Sequence, residues 1–157
     1  MKTSRRTFLR NTIALGVGTI VLPSTVIAAK TTVMASEPND AFQAKTVGEA
    51  LEKLFPGAKI EESDKITIKA PKIAENGLVV PIEIRADIDG VESIAVLSEN
   101  NPMPLVSQFQ FAGKGKGWLK IRIKMGRTGN VIVVVKADGK LYRASQEVKV
   151  TIGGCGG

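Results

Sequence analysis

The chain has 157 residues, no histidine, one cysteine, and 22 lysines and arginines against 15 acidic residues. It therefore lacks the usual ligands of haem, copper, iron–sulfur clusters and structural zinc, and we expect neither a metal nor a cofactor. Five basic residues and no acidic residue lie in residues 1–35, which leaves 17 against 15 in the remainder. This near balance removes the main electrostatic argument for nucleic-acid binding.

The first 35 residues resemble an export signal. Arg5 and Arg6 precede a mildly apolar run over residues 13–29 that ends in small residues, a pattern typical of the twin-arginine pathway. We predict a signal peptide over residues 1–35, cleaved between residues 28 and 35, and a periplasmic protein without stable membrane insertion. An uncleaved anchor is the alternative. The twin-arginine pathway carries folded proteins, often because a cofactor is inserted before export. Since no cofactor is expected here, assembly with another subunit before export better explains the use of this pathway.

Residues 36–152 are predicted to form one domain that opens with a single short helix. Thr46 and Glu49 have the spacing of a capping box, and Pro56-Gly57 ends the helix. The apolar residues Val47, Ala50, Leu51 and Leu54 share one face of it.

After this helix the apolar residues alternate, which predicts strands. Seven strands are expected, near residues 66–68, 80–84, 91–97, 105–111, 119–125, 131–135 and 141–152. Turn signals at Asp89-Gly90, residues 126–130 and Asp138-Gly139 separate them. The pattern predicts an all-β fold, an immunoglobulin-like antiparallel β-sandwich.

The last five residues, here called the arm, hold the only cysteine between glycines. They are Gly153, Gly154, Cys155, Gly156 and Gly157. Glycine leaves the backbone free and narrow, so the arm is predicted to swing and to thread into slots that exclude bulkier peptides. A frayed terminus is the plain alternative. An odd cysteine in an exported chain indicates a reactive thiol or an intermolecular disulfide.

The composition argues against catalysis by this chain alone. A cysteine nucleophile normally needs a neighbouring base, most often histidine, and a redox enzyme needs a second cysteine. The thiol of Cys155 is therefore expected to be an attachment point on which other proteins act. Two alternatives remain: an envelope interaction module that forms an intermolecular disulfide, and a thiol-dependent enzyme such as a peroxide reductase.

A basic strand is the second candidate feature. Lys120, Arg122 and Lys124 alternate with apolar residues, so they should share the solvent-facing side of the strand. They form either an ordinary solvated face or a docking surface for acidic partners or sulfur oxyanions. Pro102 and Pro104 are expected to stiffen the entry to the strand near residues 105–111, with contact to a partner as the alternative.

Several segments together resemble the SoxY family, the sulfur-carrier subunits of bacterial thiosulfate oxidation. They are the Ser-Arg-Arg-x-Phe-Leu signal, Glu75-Asn76-Gly77, Asn100-Asn101-Pro102-Met103-Pro104, Ala137-Asp138-Gly139, Glu147-Val148-Lys149-Val150-Thr151 and the closing Gly-Gly-Cys-Gly-Gly. The resemblance implies a heterodimer with a SoxZ-like subunit. It also implies that a SoxAX-type enzyme joins thiosulfate to Cys155, that a SoxB-type hydrolase releases sulfate, and that a sulfane dehydrogenase, where one is present, oxidises the remaining sulfur.

Overall fold

The structure is a computed structural model that describes residues 38–151, apart from the side chains of residues 38, 39 and 113–115. Two short helices come first, α1 (Pro38–Phe42) and α2 (Val47–Leu54). The Thr46 hydroxyl accepts a hydrogen bond from the Glu49 amide at 3.1 Å, so α2 begins at its predicted cap. The expectation of a single helix is wrong. The additional helix α1 is little more than one turn long, and Pro38 at its first position is its main sequence signal.

Seven strands follow the helices within the described residues. They are β1 (Ile60–Glu62), β2 (Ile66–Lys69), β3 (Ile73–Ala74), β4 (Val80–Ser98), β5 (Leu105–Ile123), β6 (Gly129–Ala137) and β7 (Lys140–Val150). The all-β, immunoglobulin-like sandwich is confirmed, but the expected division of the chain into strands is partly wrong. Two predicted pairs of strands are the single long strands β4 and β5, and the short strands β1 and β3 were not predicted.

The long strands β4 and β5 form one antiparallel hairpin that passes through both layers of a curled sheet. In one layer, residues 80–86 of β4 lie between β2 and the second half of β5. In the other layer, residues 91–98 of β4 lie between β6 and the first half of β5. On the other side of β6 lies β7, which pairs in parallel with β1 and β3.

The hairpin changes layer at a bend where two loops were expected. Gly90 has φ of +68°, a conformation that favours glycine, and the register of β4 against β5 shifts there. Gly117 allows close approach, since a Cβ at this position would lie 2.8 Å from the Ala86 Cβ. The glycines therefore mark a bend within paired strands, because the hairpin continues its hydrogen bonding across both layers.

The main core lies between the two layers. Val131, Val133 and Val135 of β6 are buried there together with Ile82 and Ile84 of β4. The alternate residues of β6, Ile132 and Val134, pack on the outer side of the same layer, in a second cluster that contains Ala44 and Ala50 from the helical region. The helices thus cover one outer face, and β6 is buried on both sides.

Candidate functional site

The predicted attachment site lies outside the described residues. Cys155 and the arm glycines Gly153, Gly154, Gly156 and Gly157 follow the last described residue, Thr151, and Arg5 and Arg6 of the predicted signal precede the first. The structure does describe the point from which the arm leaves the sandwich. We call Val150 and Thr151 the arm root.

Backbone pairing holds the arm root on one side. Ala74 of β3 pairs in parallel with Val150, and the Thr151 amide donates to the Ala74 carbonyl at 3.1 Å. Two residues before Thr151, the Lys149 amide donates to the Lys72 carbonyl at 3.0 Å. These bonds continue the sheet up to Thr151, so the strand end that precedes the arm in the chain is ordered.

Thr128 holds the root on the other side. The pairing of β6 with β7 ends at Gly129 and Val148. Beyond it, the Thr128 hydroxyl accepts a hydrogen bond from the Val150 amide at 2.9 Å and lies 3.4 Å from the Val150 carbonyl oxygen. One side-chain hydroxyl thereby replaces the next backbone partner, because a hydroxyl can both accept and donate.

Two asparagines fix the loop that carries Thr128. The Asn100 side-chain Nδ2 donates to the Thr128 carbonyl at 2.7 Å. The Asn101 side chain donates to the Lys124 carbonyl and accepts from the Gly126 amide, both at 2.8 Å. The sequence predicted a proline-stiffened entry or a partner contact here, and no role for the asparagines. The Asn-Asn pair was visible in the sequence, but its partners lie more than twenty residues away along the chain.

A tight turn before β4 packs directly against the root. A Cβ added at Gly77 would meet the Met125 carbonyl oxygen and lie 2.8 Å from Cγ1 of Val150. The Met125 amide donates to the Gly77 carbonyl at 2.7 Å. Any side chain at position 77 would therefore displace the turn, so glycine is required by close approach.

Three large apolar side chains stand exposed on the segments that hold the root. Ile73 of β3 is 57% exposed, and Leu78 and Val79 of the turn are 67% and 50% exposed. We call these three residues the collar. Exposed apolar clusters of this kind often mark contact sites. The sequence pattern did not predict that these three side chains would be exposed.

The basic strand is exposed as predicted. Lys120 and Arg122 of β5 and Lys124 just beyond it face solvent, while Leu119, Ile121 and Ile123 face the core. In the neighbouring strand, Glu83 lies 3.8 Å from the Lys120 ammonium group. A hydrogen bond from Arg85 at 2.8 Å, followed by one from the Trp118 indole at 3.3 Å, lowers the pKa of Glu83 below its ordinary value of 4.5.

The sequence model of the SoxY family, described as "Sulfur oxidation protein SoxY", matches residues 51–155. That span covers about two thirds of the chain and reaches Cys155. The chain belongs to the SoxY family. SoxY proteins are sulfur carriers of the sulfur-oxidation system, so the family expected from the sequence motifs is confirmed.

Solved structures agree with this assignment. The sulfur carrier protein SoxY from Chlorobium limicola f. thiosulfatophilum is 42% identical, with a TM-score of 0.63 over 68% of this chain and 97% of that chain. A superoxide reductase (neelaredoxin) from Ignicoccus hospitalis is 14% identical, with a TM-score of 0.51 over 59% of this chain and 95% of that chain. The second likeness concerns the fold alone. No curated protein sequence matched the chain.

Between residues 38 and 151 no three histidine, cysteine or carboxylate side chains come together as a metal site. Over the same residues, neither helix has the length and apolar character needed to cross a membrane.

Proposed function

We propose that this SoxY-family chain is a non-catalytic carrier that holds thiosulfate-derived sulfur on Sγ of Cys155 and presents it to partner enzymes in the periplasm. The observation that carries the proposal is the family match that extends to Cys155, four residues beyond an ordered arm root. A rigid base with a short glycine-rich arm allows one thiol to visit several active sites in turn.

The loading step is an oxidation that needs a separate enzyme and an electron acceptor. A SoxAX-type haem enzyme removes two electrons and one proton as the Cys155 thiol and thiosulfate form an S–S bond, which gives a cysteine S-thiosulfonate. A SoxB-type hydrolase then adds water across the bond between the outer two sulfurs. Sulfate and a proton leave, and a persulfide remains on Cys155. Where a sulfane dehydrogenase is present, it oxidises this remaining sulfur and passes the electrons to an acceptor.

The chain itself contributes position and access to these steps. No histidine is present to activate the thiol, so the thiolate is formed in the active site of each partner. Gly153, Gly154, Gly156 and Gly157 keep the peptide narrow enough to enter. A SoxZ-like subunit forms the heterodimer and leaves the cell with it by the twin-arginine pathway, directed by Arg5 and Arg6.

The basic strand is proposed to steer the partners. Lys120, Arg122 and Lys124 point away from the core on one face of the sandwich, and Lys124 lies at the end from which the arm leaves. Three cations on one face increase the rate of association with an acidic partner surface, and added salt reduces this increase.

The decisive experiment is intact-mass analysis of protein isolated from cells that are oxidising thiosulfate. We expect an adduct on the Cys155 peptide that reductant removes, together with a small co-purifying subunit. The Cys155→Ser variant should carry no adduct. A bare thiol, or only a disulfide between two chains, in cells shown to consume thiosulfate would support an interaction module in place of a carrier.

A second experiment tests the narrow arm. Replacing Gly154 or Gly156 with tryptophan should block enzymatic loading. The folded domain should keep its midpoint of thermal unfolding, because the last described strand, β7, already ends at Val150. Replacement by alanine, which adds only a methyl group, is the matched control and should retain more of the activity. Unchanged loading of the tryptophan variants would contradict threading.

A further inference from the structure

The length of the arm limits how far a partner enzyme can be from the sandwich. Cys155 is four residues beyond Thr151 in the chain, so the two residues are at most about 14 Å apart when the chain is fully extended. A catalytic centre that receives Sγ inside a channel must therefore bring the mouth of that channel close to the arm root. A standard interface of about 800 Å² per partner corresponds to a disc of roughly 16 Å radius. Any such interface centred on the arm covers the residues around its root.

The collar is the apolar surface that lies there. Among the described residues, the exposed large apolar side chains are Ile73, Leu78, Val79, Met103 and Trp118. Ile73 directly precedes Ala74, which pairs with Val150 of the arm root. Leu78 and Val79 directly follow Gly77, where an added Cβ would lie 2.8 Å from Cγ1 of Val150. Trp118 lies on β5, six residues before Lys124, which is roughly 20 Å along an extended strand.

The backbone beneath the collar is already ordered. The Leu78 amide donates to the Asn76 side chain at 2.9 Å, and the Val79 amide donates to the Asn76 carbonyl at 3.3 Å. Ile73 is held in the parallel pair of β3 with β7. A preorganised apolar surface loses little entropy when a partner covers it, so its burial contributes to affinity.

From these observations we propose that the collar is the surface on which the partner enzymes seat when they receive the arm. The inference rests on the proposed carrier function and assigns the docking partner by its chemistry: the mouth of an enzyme channel lined by apolar side chains. The basic strand accelerates encounter, whereas the collar stabilises the engaged complex. Because every partner must come within reach of the same short arm, one collar serves all of them.

Neutral substitutions test the collar without changing the net charge. The test variant combines Ile73→Thr, Leu78→Gln and Val79→Thr, and Trp118→Gln is the matched control, since it also replaces an exposed apolar side chain. Each protein is purified with its partner subunit. The kcat/KM of loading is measured with a SoxAX-type enzyme, thiosulfate and a cytochrome c as electron acceptor. We expect the triple variant to lose about tenfold in kcat/KM, mainly through a higher KM, and the control to stay within about twofold.

Tetrathionate separates docking from the reactivity of the thiol. The Cys155 thiolate attacks one of its inner sulfurs and displaces thiosulfate, which leaves the same cysteine S-thiosulfonate without an enzyme. The triple variant should react with tetrathionate at the wild-type rate. A parallel loss in this reaction would mean that the substitutions alter the arm, and it would overturn the docking role.

Three other outcomes are decisive. If the triple variant is loaded like the wild type, the collar is not a docking surface, although the carrier function stands. If the triple variant no longer co-elutes with its partner subunit, the collar belongs to the heterodimer interface and the proposal is wrong. If the wild type is not loaded by the enzyme although tetrathionate modifies it, the carrier function itself fails.

Discussion

At the end of the sandwich where β7 stops, the collar is exposed. At the same end, the side chains of Asn100 and Thr128 form hydrogen bonds with the backbone of neighbouring segments. At the opposite end, where the hairpin bends and β6 turns into β7, the exposed residues include Asp87, Asp89 and Asp138. Both ends hold their turns with bonds between side chains and backbone. At the arm end an ordered backbone carries three exposed apolar side chains, and this combination is typical of a contact surface.

Matched glycine substitutions should separate the two ends most clearly. Gly77→Ala at the arm end would overlap the Met125 carbonyl, and Gly90→Ala at the far end would place a side chain at φ of +68° and against Asp138. We expect each to lower the free energy of unfolding by roughly 1–3 kcal/mol. Only Gly77→Ala should also slow enzymatic loading, because it displaces the collar. Equal loading by the two variants would remove the distinction between the ends.

The Asn101→Ala substitution should loosen the arm end alone. It removes two hydrogen bonds of 2.8 Å, to Lys124 and Gly126, and should cost roughly 1–2 kcal/mol in chemical denaturation. We expect faster amide hydrogen exchange at Gly126 and Val150, with no change around Gly139. Asn101→Asp keeps the acceptor and loses the donor, so it should have an intermediate effect. An unchanged rate of amide hydrogen exchange at Val150 would show that Asn101 does not support the arm root.

Charge reversal tests whether the arm end also attracts partners. Arg122→Glu on the basic strand should lower the association rate with a loading enzyme by roughly fivefold at low ionic strength, and the difference should disappear at high salt. Lys140→Glu at the far end changes the net charge equally and should have a smaller effect. Equal effects of both variants would attribute the steering to net charge and not to the basic strand.

The smallest effect is expected from Glu92 at the far end. A hydrogen bond from Lys136 at 2.8 Å, together with one from the Gly139 amide at 3.0 Å, lowers the pKa of Glu92 below its ordinary value of 4.5. A lowered pKa means that the ionised form stabilises the fold at neutral pH, and this contribution is lost as the pH falls through the folded-state pKa. Glu92→Gln should therefore lower the melting temperature slightly at pH 7 and have no effect well below pH 4. Loading should be unchanged at both values.

Local patterns predicted much of the fold. The Thr46 cap of α2, the Asp138-Gly139 hairpin and the outward face of the basic strand depend on residues close together in the chain, and each was found where expected. The strand boundaries in β4 and β5 were predicted incorrectly. Glycine usually ends a strand, but here it permits a bend, and only the pairing of β4 with β5 across both layers distinguishes the two outcomes.

The sequence by itself determined the family, the β-class and the candidate attachment residue Cys155, because motifs, alternation and a single cysteine can be seen in the linear chain. The tertiary structure decided how the arm root is held and which apolar residues are exposed on the segments that contact it. Thr128 reaches Val150 across 22 residues, and Gly77 touches it across a still longer separation. Such contacts depend on the curl of the sheet, which brings distant loops to one end, and no short sequence pattern encodes that arrangement.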